Sequence, residues 1–332
     1  MMRRREFITI LGGTAATWPV AARAQQPSNP AATLRFGFVH PVSPKGIPPS
    51  YVEFIKRLGE LGYVEGDTLT VEYINLEGHL DRFGEAMREL VRRRVDLIFA
   101  LGQEDNLRAA MAATSTIPIV MLAIGYDPVA KGYVKSLAQP GGNVTGIYVL
   151  SLEAVSKRLQ LFKDAFPQQS KAFGFWDFDG ADTWRAATKA APSLGIALFG
   201  IELKTPPYDY EGEFAKVAPE FSRAMFLPSS AVFTSDAERL AAFALRHQIA
   251  ACFDASPRYV TAGALMSYGP DLPAAARRAA EIADRIVRGT KPSDLPVEQS
   301  TRFALTINLK TAKILGVHFP TTVLASADQV IE

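Results

Sequence analysis

Hydrophobic residues along the chain alternate between short continuous runs and stretches with helical spacing. Residues 34–39 form the first continuous run, and apolar residues then recur every three or four positions between residues 51 and 61. A short continuous run is typical of a strand buried on both faces, whereas the 3.6-residue spacing is typical of a helix with one apolar face. The pattern therefore predicts strands joined by helices.

The same alternation continues in two series. The predicted strands are residues 34–39, 68–74, 95–100, 117–123, 144–150, 172–176, 196–201, 224–227, 250–253 and 303–308. The helices predicted in the second half are residues 181–191, 210–221, 236–246 and 273–288. Strands separated by helical segments of about 10–15 residues imply crossover connections and a mainly parallel sheet covered on both faces.

The densest cluster of turn residues, 139–143, lies between the two series. We therefore predict an α/β fold with two Rossmann-like lobes, whose mainly parallel sheets are joined by a hinge that the chain crosses more than once. The predicted divisions are an export signal over residues 1–24, an N-terminal lobe over 34–145, a C-terminal lobe over 146–264, and a return segment over 265–332 that completes both lobes. A single doubly wound sheet is the alternative.

Residues 1–24 have the features of an export signal. Three arginines at positions 3–5 precede an apolar stretch over residues 7–22 and an A-x-A cleavage pattern over residues 22–24. The stretch is short for a membrane span of about 20 residues, which favours a cleaved signal over an uncleaved anchor. The order Arg-Arg-Glu-Phe-Ile fits the twin-arginine pattern, and the general secretory route stays open as well. No cysteine lies near the cleavage pattern, so we expect a periplasmic protein with no lipid anchor and no stable membrane insertion after cleavage.

Composition and charge argue against a nucleic-acid-binding protein. The chain has 48% hydrophobic and 21% charged residues, which is typical of a folded globular protein. Loss of the predicted signal removes four arginines and one glutamate and changes the formal net charge from +2 to about −1. The arginines of the remaining chain lie on separate predicted helical segments and give no argument for a basic patch, so we expect no nucleic acid as a partner.

No catalytic motif is recognisable in the chain. The histidines at positions 40, 79, 247 and 318 lie far apart and lack a metal-binding spacing. Cys252, the single cysteine, lies in an apolar run, which favours a buried thiol over a nucleophile. Neither a G-x-S-x-G elbow nor a glycine-rich phosphate loop is present. We therefore expect a protein that is not an enzyme and that uses no metal ion or cofactor.

Six segments, spread in order along the chain, resemble one family of exported binding proteins. They are residues 3–13 (RRREFITILGG), 61–66 (LGYVEG), 127–129 (DPV), 139–146 (QPGGNVTG), 263–269 (GALMSYG) and 307–313 (INLKTAK). In these segments the chain is similar to the ABC-transporter substrate-binding family whose better-known members take up tryptophan and related aromatic amino acids. The resemblance implies the type I periplasmic binding protein fold, a periplasmic location and an ABC permease as partner.

The chain departs from the family pattern at two predicted strand ends. Residues 175–179 read FWDFD where the family commonly has an Asn-Pro-rich segment, and residues 228–230 read PSS where glycine or alanine followed by aspartate is usual. Both segments fall on loops that are expected to face the ligand. The resemblance therefore predicts the class of protein, and the ligand has to be argued from the residues of this chain.

A ligand site is predicted where the strands of both lobes end. In open α/β sheets, ligands bind beyond the carboxyl ends of the strands, close to the N-termini of the following helices. The candidate residues of the first lobe are His40, Ser43, Gly102, Gln103, Glu104, Gly125, Tyr126 and Asp127. Those of the second lobe are Asp177, Phe178, Asp179, Ser229, Ser230 and Asp254, and Tyr268 is placed near the return crossing.

The chemistry of these residues suits an amino acid or an aromatic acid. Backbone N–H groups at helix starts could hold a carboxylate, an aspartate could hold an ammonium group, and aromatic rings could stack on a planar ligand. Structural interpretations stay open beside these. Asp127 could brace a turn, Trp176 could belong to the core, and the two serines at 229 and 230 could precede a capping box formed by Ser235 and Glu238.

The sequence thus predicts the periplasmic solute-binding component of an ABC importer. We expect a monomer that captures a small molecule between its lobes and delivers it to the permease by cleft closure. The alternatives are a secreted hydrolase or isomerase on a similar two-lobed scaffold and a ligand sensor for a membrane receptor.

Overall fold

A computed structural model describes residues 33–40, 47–254 and 257–332 of the chain. The predicted export signal over residues 1–24 and the candidate ligand residue Ser43 lie outside these ranges. Within them, none of the helices is both long enough and apolar enough to cross a membrane.

The strands of the structure coincide closely with the apolar runs of the sequence. In chain order they are β1 (Leu34–His40), β2 (Leu69–Asn75), β3 (Leu97–Gly102), β4 (Ile119–Ile124), β5 (Val144–Val149), β6 (Lys171–Trp176), β7 (Ala197–Glu202), β8 (Ala224–Phe226), β9 (Ala250–Phe253), β10 (Met266–Pro270), β11 (Glu298–Gln299), β12 (Phe303–Asn308) and β13 (Gln329–Ile331).

Helices connect most of these strands. In chain order they are α1 (Pro49–Glu60), α2 (Phe83–Arg92), α3 (Glu104–Ala113), α4 (Ser151–Ala165), α5 (Ala181–Ala190), α6 (Tyr210–Phe214), α7 (Ala231–Ser235), α8 (Ala237–Arg246), α9 (Pro257–Thr261), α10 (Leu272–Val287), α11 (Leu309–Leu315) and α12 (Thr321–Ala325).

The strands form two separate sheets. The first has the order β11-β5-β4-β3-β1-β2 and is parallel throughout. The second has the order β13-β12-β10-β9-β8-β6-β7, in which only the β10–β12 pair is antiparallel. The central strands are buried because helices cover both faces of each sheet, as their continuous apolar runs predict. The prediction of two α/β lobes is confirmed, and the alternative of one doubly wound sheet is wrong.

The chain passes between the two sheets three times. It leaves the first sheet after β5 and enters α4 of the second lobe. It returns after β10 of the second sheet, when α10 packs on α1, β4 and β5 of the first lobe. The third passage joins β11, which pairs with β5, to β12, which pairs with β10. Backbone hydrogen bonds join these segments, from the Ser300 N–H to the carbonyl of Tyr148 and from the Asp271 N–H to the carbonyl of Arg302, both at 2.9 Å.

Helix α10 is fixed to the first lobe by ion pairs as well as by packing. Arg277 of α10 contacts Glu60 of α1 at 2.6 Å and Glu53 at 3.2 Å, and Arg57 of α1 contacts Glu281 at 2.9 Å. Exposed ion pairs of this kind contribute little individually, and their main effect is to fix the register of the two helices. The return segment thus supplies a covering helix to a lobe that is more than a hundred residues earlier in the chain.

The segment over residues 139–146, which carries part of the family resemblance, has a structural role. The Asn143 side chain donates to the carbonyl of Ile117 at 2.7 Å, and the Thr145 hydroxyl donates to the carbonyl of Leu295 at 2.8 Å. Gly146 has a φ of 137° and pairs with Met121 of β4, whose backbone occupies the space where a Cβ at position 146 would lie. The segment fixes β5 against β4 and against the return segment.

Two predicted helices differ from the structure. The helix predicted over residues 210–221 ends at Phe214, since Pro219 has no N–H to donate to the carbonyl of Ala215 and restricts the residue before it. The helix predicted over residues 236–246 begins at Ala237 and follows the separate short helix α7. The break falls at Asp236, whose φ of −91° and ψ of 15° depart from helical values.

Candidate functional site

The first lobe presents its candidate residues where β1, β3 and β4 end. These strands are parallel, and β3 lies between β1 and β4, so the loops that follow them meet at one edge of the sheet. Gln103 is the N-cap residue of α3 and is exposed, directly after Gly102 at the end of β3. Gly125 follows β4, and its N–H donates to the carbonyl of Val149 at 2.9 Å. His40 ends β1 and is buried, with its Nδ1 3.3 Å from the Tyr73 hydroxyl oxygen.

Glu104 and Tyr126 belong to one polar cluster beside α3. The Glu104 carboxylate accepts a hydrogen bond from the Tyr133 hydroxyl at 2.6 Å and pairs with Lys131 at 2.7 Å. The bond from Lys131 holds the pKa of Glu104 below its usual value. Tyr126 packs edge-on against the Tyr133 ring at 6.2 Å, and burial raises its pKa, so the phenol stays neutral. Its buried hydroxyl has no hydrogen-bond partner among the described residues.

Asp127 braces a turn. Its Oδ1 accepts hydrogen bonds from the backbone N–H groups of Val129 at 2.8 Å and Ala130 at 3.2 Å. This is the structural interpretation that the sequence left open, and contact of Asp127 with a ligand stays a prediction. Asn106, which the sequence did not single out, is buried near the start of α3 and donates to the carbonyl of Leu101 at 3.0 Å.

The second lobe organises its strand ends around the buried carboxylate of Asp177. One carboxylate oxygen accepts the Gly180 backbone N–H at 3.0 Å, and the other accepts the Ser230 hydroxyl at 2.6 Å and the Tyr208 hydroxyl at 3.1 Å. Burial raises the pKa of Asp177, and these three hydrogen bonds oppose that effect. One aspartate therefore joins the loops that follow β6, β7 and β8.

Ser230 links this network to α7. While its hydroxyl donates to the aspartate, its Oγ accepts hydrogen bonds from the N–H groups of Val232 at 3.1 Å and Phe233 at 3.4 Å, as an N-cap residue does. The capping box predicted for Ser235 and Glu238 is wrong, because Ser235 is the last residue of α7 and Asp236 takes the N-cap position of α8. The Ser235 hydroxyl instead donates to the carbonyl of Ala231 at 3.0 Å.

The Phe178 side chain is exposed to solvent, next to the hydrogen-bonded Asp177. It follows the buried Asp177 directly and is 80% exposed, the largest exposed fraction among the large hydrophobic residues that the structure describes. Beneath it, Gly180 lies so close to Pro228 and to the Ser229 carbonyl that a Cβ there would be 3.0–3.2 Å from them. The neighbouring Trp176 is partly buried and packs against the core of the lobe.

Asp179 follows Phe178 in the turn after β6 and is partly buried. Burial raises its pKa to about 6 from an ordinary 3.8, and the nearby carboxylates of Asp177 and of Asp105 raise it as well. The N–H of Ala231, 3.4 Å from Asp179, acts in the opposite direction. Asp105 is in the first turn of α3 in the first lobe.

Replacing Asp179 by asparagine is expected to stabilise the protein at neutral pH. A pKa that is higher in the folded state means that folding favours the protonated carboxyl. The contribution of Asp179 to the free energy of unfolding is therefore fully present below about pH 4 and is lost as the pH rises through about 6. Because the side chain keeps partial exposure, we expect Asp179→Asn to raise the free energy of unfolding by about 1–2 kcal/mol at pH 7.5 and by almost nothing at pH 4.

Urea denaturation at pH 4, 5, 6 and 7.5 measures this difference. Asp182→Asn is the matched control, since the Asp182 side chain is 69% exposed. An equal effect of Asp179→Asn at every pH would contradict the assigned titration.

Asp254, at the end of β9, forms a buried ion pair that the sequence did not predict. Its Oδ1 is 2.6 Å from Nη1 of Arg158 on α4, and the Arg158 side chain is 1% exposed.

Tyr268 in β10 stacks on Phe303 with ring centroids 6.0 Å apart and packs against the second-lobe core. The described residues contain no group of three or more histidine, cysteine, aspartate or glutamate side chains arranged to hold a metal ion.

Polar and aromatic side chains thus lie where the parallel strands of both sheets end, which is where ligands bind in open α/β sheets. The sequence pattern of the family described as "ABC transporter substrate binding protein" matches residues 37–331 of the chain. The chain belongs to this family. The match confirms the resemblance noted in the sequence, and it covers both lobes and the hinge.

Known relatives of this family member include binding proteins for aromatic amino acids. A tyrosine-binding protein of Clostridioides difficile (strain R20291) is 25% identical over 274 residues, which are 80% of this chain and 75% of that protein. An ABC domain from Streptococcus pneumonia in complex with L-Trp has 23% identity and a TM-score of 0.74, and the match covers 90% of this chain and 100% of that one.

A further similar structure is the ligand-free, open form of a Clostridium difficile substrate binding protein with adhesive properties. It has 22% identity and a TM-score of 0.61, and the match covers 90% of this chain and 99% of that one. At these identities the solved structures establish the fold, which is that of the periplasmic binding proteins.

Proposed function

We propose that this family member is the periplasmic solute-binding component of an ABC importer and has no catalytic role. The proposal rests above all on the family match over residues 37–331, and the polar and aromatic side chains at the strand ends of the two sheets supply the groups for a cleft between them. A small molecule held there would contact both lobes at once. Its contacts would stabilise the closed arrangement, and the closed form would dock on the permease.

The ligand that suits this cleft best is an aromatic amino acid or an aromatic acid. Phe178 supplies an exposed ring for stacking on a planar group, and the hydrogen bonds of Asp177 fix the turn that carries it. Asp179 lies beside this ring and could accept an ammonium group. A tyrosine-binding relative and the L-Trp complex of a similar structure support the same ligand class.

Thermal-shift and calorimetric titrations of the purified protein test this assignment. At a concentration of about 100 times its Kd, a ligand stabilises the folded state by about 2.7 kcal/mol, which for a chain of this size raises Tm by about 5 °C. We expect such a shift with L-tyrosine, L-tryptophan or a simple aromatic acid, and none with sugars. Absence of a shift with every aromatic solute would overturn the ligand class, and product detected by mass spectrometry would favour a secreted enzyme.

The same titrations test whether the Phe178 ring contributes to ligand binding. Phe178→Ala should weaken binding by about tenfold, the equivalent of about 1.4 kcal/mol, while leaving the Tm of the free protein unchanged. Phe199→Ala is the matched control, because Phe199 is 37% exposed on the edge strand β7, where it packs against Phe221. Loss of uptake of the identified solute on deletion of the gene tests the role in import.

A further inference from the structure

Arg158 is a buried cation whose hydrogen-bonding capacity is only partly used. Its side chain is 1% exposed, and its Nη1 bonds to Asp254 at 2.6 Å. Its Nε and Nη2 are also buried and have no hydrogen-bond partner among the described residues. Leaving a buried charged donor without an acceptor is costly, so an arginine in this position needs a reason beyond its single ion pair.

The surroundings of Arg158 place its guanidinium at the cleft end of the second sheet. Helix α4 starts where the chain arrives from the first lobe, and helical side chains point back towards the N-terminus of their helix. The guanidinium lies 4.5 Å from the centre of the Phe226 ring, at the end of β8, and its partner Asp254 directly follows β9. The Asp254 side chain keeps 12% exposure, so the ion pair reaches the surface of the strand-end edge.

The two nitrogens without a partner lie on the same edge of the guanidinium. A carboxylate binds this Nε–Nη2 edge through two parallel hydrogen bonds, a geometry that lysine cannot provide. The third nitrogen, Nη1, already donates a hydrogen bond to Asp254, and the Phe226 ring covers one face of the guanidinium. The unsatisfied Nε–Nη2 edge therefore has the donor geometry and the charge that a carboxylate requires.

We propose that Arg158 binds the carboxylate of the transported molecule through its Nε–Nη2 edge, so that the ligand is an aromatic amino acid or acid and not an aromatic amine or alcohol. This inference rests on the proposed binding function and deepens it. Asp254 orients the guanidinium for this contact and partly balances its charge before the ligand arrives.

A comparison of L-tyrosine with tyramine, which lacks only the carboxylate, tests the proposal by calorimetry. If two charge-assisted hydrogen bonds are lost with the carboxylate, the wild-type protein should bind L-tyrosine at least about 100-fold more tightly than tyramine. The double variant Arg158→Met with Asp254→Asn removes both charges of the pair, which avoids leaving an uncompensated buried aspartate. In this variant the preference for L-tyrosine should fall to within about threefold.

The matched control is Arg185→Met, which removes an arginine whose side chain is 76% exposed on α5. It should retain the wild-type preference.

A folded double variant that still prefers L-tyrosine by the wild-type factor would overturn the carboxylate contact while leaving the binding function intact. Failure of the wild-type protein to bind L-tyrosine, L-tryptophan or any aromatic acid would overturn the proposed function and this inference with it. The conservative Arg158→Lys keeps the charge without the paired donors and should show a preference between those of the wild-type protein and the double variant.

Discussion

Replacing Asp177 by alanine is expected to lower the free energy of unfolding by about 3–5 kcal/mol and to abolish ligand binding. The substitution removes the shared acceptor of three donors, from Gly180, Tyr208 and Ser230, in a place where water does not reach them. Each donor that stays buried without an acceptor costs about 1–3 kcal/mol. Asp177→Asn should cost less, about 1–2 kcal/mol, because it keeps the size and one acceptor oxygen and removes a charge that burial disfavours.

Urea denaturation followed by circular dichroism measures both variants, and calorimetry measures their affinity. Asp182→Ala on the surface of α5 serves as control and should change stability by less than about 0.5 kcal/mol. If Asp177→Ala unfolded within about 1 kcal/mol of the wild-type protein, the three hydrogen bonds would not be what holds the second-lobe loops together.

Replacing Gly146 by alanine is expected to prevent folding or to destabilise the protein by more than about 4 kcal/mol. The φ of 137° at this position is unfavourable for any residue with a side chain. In addition, the new Cβ would overlap the backbone of Met121, so β4 and β5 would have to separate in the middle of the first sheet. Few single substitutions destabilise a protein this much, and backbone strain and steric overlap in a packed core are among the causes of those that do.

Gly142→Ala is the matched control for this substitution. It lies in the same turn segment, and a Cβ there would meet no atom within 4 Å. We expect it to be neutral within about 0.5 kcal/mol. A urea midpoint of Gly146→Ala close to that of Gly142→Ala would show that the close approach of the two strands is not required.

The fold was predictable because buried parallel strands leave a direct trace in the sequence. Residues 34–39 and 95–100 are apolar except at Arg35 and Asp96, near their starts, since helices cover both faces of their sheet, and they coincide with most of β1 and β3. Helix α4 was missed because it begins two residues after β5 without a turn signal between them. The strand β10 was missed since it contains a glycine and a proline, which usually mark loops.

The candidate site was predictable only where a residue directly follows a strand. This rule found Asp177, Phe178 and Asp254. It could not find Tyr208, which reaches the Asp177 carboxylate from 31 positions away. The Arg158–Asp254 ion pair was not predicted for the same reason: Arg158 lies on a helix and reaches Asp254 through a long side chain from 96 positions away. Contacts of that separation are set by the crossing of elements in space, which periodicity along the chain does not encode.

The threefold passage of the chain between the sheets has a consequence for how the molecule is made. The first lobe lacks its covering helix α10, and the second lacks β12, until the segment from Leu272 to Asn308 has been synthesised. Neither half can mature on the ribosome ahead of the other, and both depend on contacts between distant parts of the polypeptide, which form slowly. Synthesis of nearly the whole chain must therefore precede its native state.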